Sequence, residues 1–332
     1  MQSATARNDE KFVRLTMRDT VFRIVSSDLF LRKARKFVGI LYRNLNKSQR
    51  EAINGFLWLA PSLIGVGIFY IVPYFQVLYY SVIQSPLNPN FVFLDNFISL
   101  FQNRAFMDGA SNTLRFSVMA VPSAVILSLL LALILEAKIP LKSYFRTFFL
   151  SPLMVPVASV ILIWQVLFHP RGAINELLMV FGFSGVDWMQ SDQSLLIVVI
   201  LFIWKNLGFF MILFMAALSN IPKDVLETAE TEGAGPVRQL IYIKLRYLSP
   251  TLLFVTILSL INSFKIFREV YLLTGRYPYG NLYMIQHWLN NIFMTLDYQR
   301  LAAAAVVMTL AMIAIIAVLF FAENRFGRDV EE

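Results

Sequence analysis

Six stretches of this chain, 53–82, 114–135, 148–168, 195–218, 250–266 and 301–321, are apolar and hold at most one charged residue each. A hydrocarbon core of about 30 Å takes roughly 20 helical residues to cross, so each stretch predicts a transmembrane helix. The fifth is the shortest and carries Lys265 near its end. Strict apolar–polar alternation does not recur over enough segments to build a barrel. Helices are therefore the elements that satisfy the backbone in lipid. The pattern predicts an all-α integral membrane protein with about six spans, in which no carboxylate stands in the middle of a span.

Composition agrees. Of 332 residues, 58% are hydrophobic and 15% charged, against about 45–50% and about 25% in soluble domains. Length alone would suggest two soluble domains, but the apolar runs overrule that. There is no cysteine, which excludes disulfides, thiolate metal sites and cysteine nucleophiles. His169 and His287 lie far apart and in no metal-ligand spacing.

The net charge of +8 is unevenly placed: twelve of the 29 Lys and Arg fall in the first fifty residues. That segment, 1–50, is too long and too charged for a secretory leader and reads as a cytoplasmic tail. Within it, 21–45 mixes apolar and basic positions and suits an interfacial helix on anionic lipid. With the amino terminus inside, the cytoplasmic segments collect 21 of the 29 basic residues, as the positive-inside rule expects. Six crossings return the carboxyl tail, 326–332, to the same side of a permease domain spanning 51–325.

No G-x-x-x-x-G-K-[ST], nucleophile elbow or H-E-x-x-H occurs. Nothing in the chain is predicted to hydrolyse ATP or to catalyse a covalent step, and no cofactor or metal site is expected in it. The loop 220–248 is unusual. Pro222 suits a first helical turn, and Asp224 and Glu227 suit the positive end of its dipole. Gly233 and Gly235 allow a sharp turn, and Pro236 restarts a second helix. A helix, a glycine turn and another helix make a knob able to pass rigid-body motion from a partner.

Glu227-Thr-Ala-Glu-Thr-Glu-Gly233 resembles the EAA loop of binding-protein-dependent ABC importer permeases, E-A-A followed by three residues and G. Thr228 replaces the second position, and Arg246 stands where the later I-x-L-P has its proline. The resemblance runs over roughly 54–326. It includes FVFLDNFISLFQN and the N-T-L entry to the second span, Pro152, Pro156, Trp164 and the 172–175 turn. SFKIFREVYLLTG resembles S-F-x-x-F-D-x-V-Y-x-L-T-G-G-G-P of the sugar-permease branch, two of whose glycines are Arg276 and Tyr277 here. The resemblance implies a type I ABC importer permease fold of the maltose or glycerol-phosphate type, in a bacterial plasma membrane. It implies ATPase subunits carrying ATP and Mg, a second homologous permease, an extracellular solute-binding protein and a carbohydrate substrate, with no nucleic acid. Glu227, Thr228, Ala229, Gly233, Ala234 and Arg238 would then face the ATPase.

Polar residues inside spans are costly and therefore informative. Lys205, Asn206, Asn262 and Lys265, with Gln165 and Trp164, are candidates for the substrate path. Asn262 and Ser263 equally suit interhelical hydrogen bonds, and Trp164, Trp204, Tyr271 and Trp288 suit interfacial belts as well as sugar stacking. The two lysines would favour an anionic substrate such as glycerol phosphate or an acidic polysaccharide. An ion-coupled secondary transporter is the competing reading. It predicts intramembrane acids and internal repeats, and the sequence shows no duplication.

Overall fold

The computed structural model describes residues 46–136 and 140–326. The segments 21–45 and 327–332 of the sequence reading lie outside them. Among the described residues there is no β-strand; a lone antiparallel bridge joins Ile83 and Phe91. The described chain divides at Phe75–Gln76 into two units, each taken by itself.

Five helices are long and apolar enough to cross a membrane, or six if one bent pair counts as a span. The first, α1, is the run Lys47–Ser81. It holds one π-helical turn, Gly67–Ile71, immediately before Pro73. A proline inside a helix lacks its N–H and pushes on the carbonyl four residues back. The wider turn takes up that clash without ending the helix.

A short amphipathic helix, α2 (Asp95–Gln102), leads into α3 (Arg104–Glu136). At 33 residues, α3 is about 50 Å long, well beyond one hydrocarbon thickness. Its inner face is a ridge at four-residue spacing, Phe116, Ala120, Ala124, Ser128 and Ala132, all 0% exposed. Small residues in such a row let backbones approach, and the row packs on α7 (Ser194–Ser219), with Phe202 edge-on to Phe116 at 5.6 Å.

The third predicted span, 148–168, is not one straight helix. It is α4 (Lys142–Met154) and α5 (Val157–Leu167), bent by 98°. Pro156 is the cause: the residue before a proline is driven to extended geometry, and Val155 sits at φ −80°, ψ 131°. Pro152 lies within α4 without breaking it. After the bend come α6 (Ala173–Val180) and a loop organised by Asn175. That fully buried amide donates to the carbonyls of His169, Pro170 and Val186 and accepts from Val186 N and Trp188 Nε1.

Beyond α7 the knob comprises α8 (Lys223–Thr231), α9 (Pro236–Gln239), a π-helical turn Leu240–Lys244 and α10 (Leu245–Tyr247). Then α11 (Ser249–Lys265) and α12 (Phe267–Thr274) form one span, Ser249–Thr274. The fifth predicted span ended at 266; the observed one runs eight residues further. Last come α13 (Ile285–Met294) and α14 (Tyr298–Phe326).

Side-chain amides tie the loops to the bundle. Asn112 Nδ2 donates to the carbonyls of Gly280 (2.7 Å) and Tyr283 (3.0 Å), and Ile285 N donates to Thr113 Oγ1. Trp288, a sugar-stacking candidate, is 2% exposed, packed on Phe106 and donating to Asn103 Oδ1, so it belongs to the core.

Two outcomes follow from this packing. A Cβ on Gly208 would lie 1.9 Å from the Phe149 carbonyl oxygen, so α4 and α7 must separate to admit it. Gly208→Ala is expected to destabilise the detergent-solubilised protein by about 1–3 kcal/mol. Gly55→Ala, with nothing within 4 Å, should leave the thermal midpoint essentially unchanged. Secondly, burial holds His287 down at about 4, from an ordinary 6.5. The folded state thus prefers the neutral ring, and unfolding takes up a proton. Stability should be level above pH 6.5 and fall as pH drops from 6.5 towards 4, by up to roughly 3 kcal/mol. Thermal unfolding across that range, compared with His287→Phe, measures this share.

Candidate functional site

The knob after α7 is a tightly closed turn. Ala234 N donates to Ala229 O (2.9 Å) and Gly233 N to Glu230 O (3.0 Å). This crossed pair ends a helix on a left-handed residue, and Gly233 supplies it at φ +81°. Pro236 starts α9 at its first turn, and Gln239 Nε2 returns to Ala234 O at 2.9 Å. Ala229 is buried beneath the turn, whereas Glu227, Thr228, Gly233 and Arg238 are exposed and Ala234 is half-buried. Val237, Ile241 and Tyr242 add exposed apolar surface at 70%, 50% and 63%.

The knob is tied to α3. Lys244 Nζ lies 2.6 Å from Glu136 Oε2, the last residue of that helix. Although Arg246 stands where the resembling motif has a proline, helical structure continues from α9 through α10 to Tyr247, with a turn at the buried Leu248.

A second polar place lies midway along α7. A cavity of about 340 Å³ opens between α7, α11–α12 and the α4–α5 bend, lined by Lys205, Asn206, Asn262, Lys265, Arg268 and Glu269. Lys205 Nζ is ion-paired with Glu269 Oε1, whose side chain is 4% exposed; Arg268 Nη2 stands 3.6 Å from the same oxygen. Asn262 Nδ2 donates to Asn206 Oδ1 at 3.0 Å, and Asn206 Nδ2 to Phe202 O at 2.8 Å. Charged side chains held in a membrane-spanning segment mark substrate or ion paths, and one carboxylate among three cations makes this a site for an electron-rich ligand.

The fold brings together four of the sequence candidates, Lys205, Asn206, Asn262 and Lys265. It does not add Trp164 or Gln165. Trp164 is 8% exposed and packed among Phe168 and Trp204, with ring centroids at 5.8 and 5.2 Å. Gln165 reaches the carbonyls of Leu272 (3.3 Å) and Leu273 (3.4 Å), joining α5 to α12. Ser263 bonds Ser117 across helices.

Sequence reasoning missed Glu269 and Arg268 because it ended the span at 266. Its expectation of spans without an interior carboxylate is corrected by Glu269, buried within the span Ser249–Thr274. The signal was present: Lys265, Arg268 and Glu269 are spaced i, i+3, i+4, which puts them on one helical face.

The family model described as binding-protein-dependent transport system inner membrane component matches residues 98–332. The sn-glycerol-3-phosphate transport system permease protein UgpA of Escherichia coli O6:K15:H31 is 33% identical over 214 residues, 63% of this chain and 72% of that one. Its Salmonella typhimurium counterpart is 31% identical over the same shares. Among solved structures, a bacterial ABC transporter importing the acidic polysaccharide alginate aligns with TM-score 0.74 and 21% identity, over 84% of this chain and 98% of that one. The alginate transporter bound to its pentasaccharide-loaded periplasmic protein aligns at 0.73 and 20%, over 84% and 96%. At such identities the structures establish the fold, and the family match extends over most of the sequence. This chain belongs to the binding-protein-dependent transport system inner membrane component family, and it is a multi-pass transport permease subunit rather than an enzyme.

Proposed function

We propose that this permease works in an ATP-driven importer that takes a carbohydrate from an extracellular solute-binding protein. A separate ATPase would carry ATP and Mg, and a second homologous permease would complete the pathway. Both termini would lie in the cytoplasm of a bacterial cell, as the skew of basic residues favours. The observation that carries this reading is the exposed knob at Glu227–Arg238. A membrane protein gains nothing by projecting Val237, Ile241 and Tyr242 into water unless another protein covers them. The Gly233 turn fixes that surface rigidly enough to transmit a push from an ATPase that closes on ATP. Support for a carbohydrate comes from relatives named for glycerol phosphate and from the alginate importers of the same fold.

The outer and inner ends of the path would open alternately as the two permeases rock. In that scheme Lys244–Glu136 carries displacement of the knob into α3. An ion-coupled carrier would need a carboxylate free to exchange protons in the path; Glu269 is tied to Lys205.

The test is affinity purification of the intact complex through this chain. Wild type is expected to recover an ATPase and a second permease. Gly233→Pro cannot adopt φ +81° and is expected to lose the ATPase. Glu227→Ala, on an exposed helical face, should weaken recovery at least several-fold while leaving the thermal midpoint in place. Full ATPase recovery and wild-type uptake in both variants would falsify the coupling role.

A further inference from the structure

The cavity beside α7 is unbalanced in charge. Lys205, Lys265 and Arg268 line it against a single carboxylate, Glu269. Both partners of Glu269, the Lys205 ammonium and the Arg268 guanidinium, approach the same oxygen, Oε1. The other oxygen, Oε2, is enclosed and has no hydrogen-bond partner. Lys265 makes no ion pair among the described residues. Two things are therefore missing from the cavity: a negative group opposite the surplus cations, and a hydroxyl-type donor for Glu269 Oε2.

The surplus belongs to this chain rather than to the motif it resembles. That motif has an aspartate where Arg268 stands, so the substitution turns a negative position into a positive one. A cavity of about 340 Å³ is at the small end of small-molecule sites, suited to one charged sugar unit at a time.

We propose, building on the importer reading, that this cavity selects carbohydrates bearing a phosphate or carboxylate group. The anionic group sits between Lys265 and Arg268, and a neighbouring hydroxyl donates to Glu269 Oε2. Lys205 turns from Glu269 towards the anion while the site is filled and returns to Glu269 when it empties. Glu269 is thus a resident counter-ion that keeps Lys205 neutralised between transport cycles. A neutral sugar leaves the surplus cations uncompensated away from bulk water, which penalises it relative to a charged one.

The experiment measures equilibrium binding to the detergent-solubilised complete complex. Its probes are sn-glycerol 3-phosphate, a glucuronate-containing disaccharide and the matched neutral disaccharide. One anionic probe is expected to bind while the neutral one does not at the same concentration, and which one binds distinguishes phosphate from carboxylate. Losing charge-assisted hydrogen bonds should weaken that binding roughly 10- to 100-fold in Lys265→Gln/Arg268→Gln. Glu269→Gln frees Lys205 and should tighten it several-fold, a change no purely structural role of Glu269 produces. Equal binding of the neutral disaccharide, unchanged affinity in the double variant, or no anion binding at all would overturn the proposal. If the complex still contains its ATPase in those cases, the importer reading stands; if no ATPase accompanies the chain, the importer reading itself has failed.

Discussion

In hydrocarbon no water is available to an unpaired N–H or carbonyl, so each interruption of a helix must be repaired by protein groups. Most of this fold can be understood as a set of such repairs. Before Pro73 the repair is a π-helical turn. At Pro156 the chain bends by 98°, and Gln165 anchors the second arm to the carbonyl end of α12. Asn175 closes one loop with five hydrogen bonds, and Asn112 closes another with two. Each of these amides replaces backbone partners that a continuous helix would have supplied itself. The cavity beside α7 lies against the α4–α5 bend, where the bundle departs from simple helical packing.

The same geometry links the two polar places. Glu136 holds the knob through Lys244 at the end of α3. Along its length, α3 meets α7 through the Ala120–Ala124–Ser128–Ala132 ridge, where no flexible side chain separates the backbones. Halfway along α7 stand Lys205 and Asn206, and Gly208 locks α7 to α4 with no room for a methyl group. Close-packed small residues make these helices move as bodies rather than deform. A displacement at the knob therefore has a rigid route towards the cavity, through contacts that are all in place in this structure.

Much of this was legible in the sequence, for identifiable reasons. Spans are set by apolar length, so 195–218 lies close to Ser194–Ser219. The Gly233 turn is set by one residue's backbone freedom and its neighbours Pro222 and Pro236. What was hidden depends on partners distant in sequence. The 98° bend is not visible in hydropathy, which reads 148–168 as a single run. Glu269 ended outside its span because Arg268 and Glu269 look like a polar boundary when their partner, Lys205, lies 64 residues away. Trp164 and Trp288 read as ligand-stacking candidates because the sequence does not reveal which aromatic rings face inward.

That distant pairing also bears on why the charges are there at all. Moving a lysine and a glutamate out of water costs more than their mutual attraction reliably returns, and a well-packed apolar pair of similar volume is often at least as stable. Lys205 and Glu269 are thus a poor choice if holding α7 to α12 is their only role. Asn206 and Asn262 already join the neighbouring turns with a neutral hydrogen bond. The ion pair also differs from the structural amides in being incompletely satisfied. Asn175 uses its carbonyl twice and its amino group three times, whereas Glu269 keeps an enclosed oxygen without a partner. Groups that build the scaffold here are saturated, and the one carboxylate facing the cavity is not. That contrast separates the residues that hold this permease together from those poised to meet what passes through it.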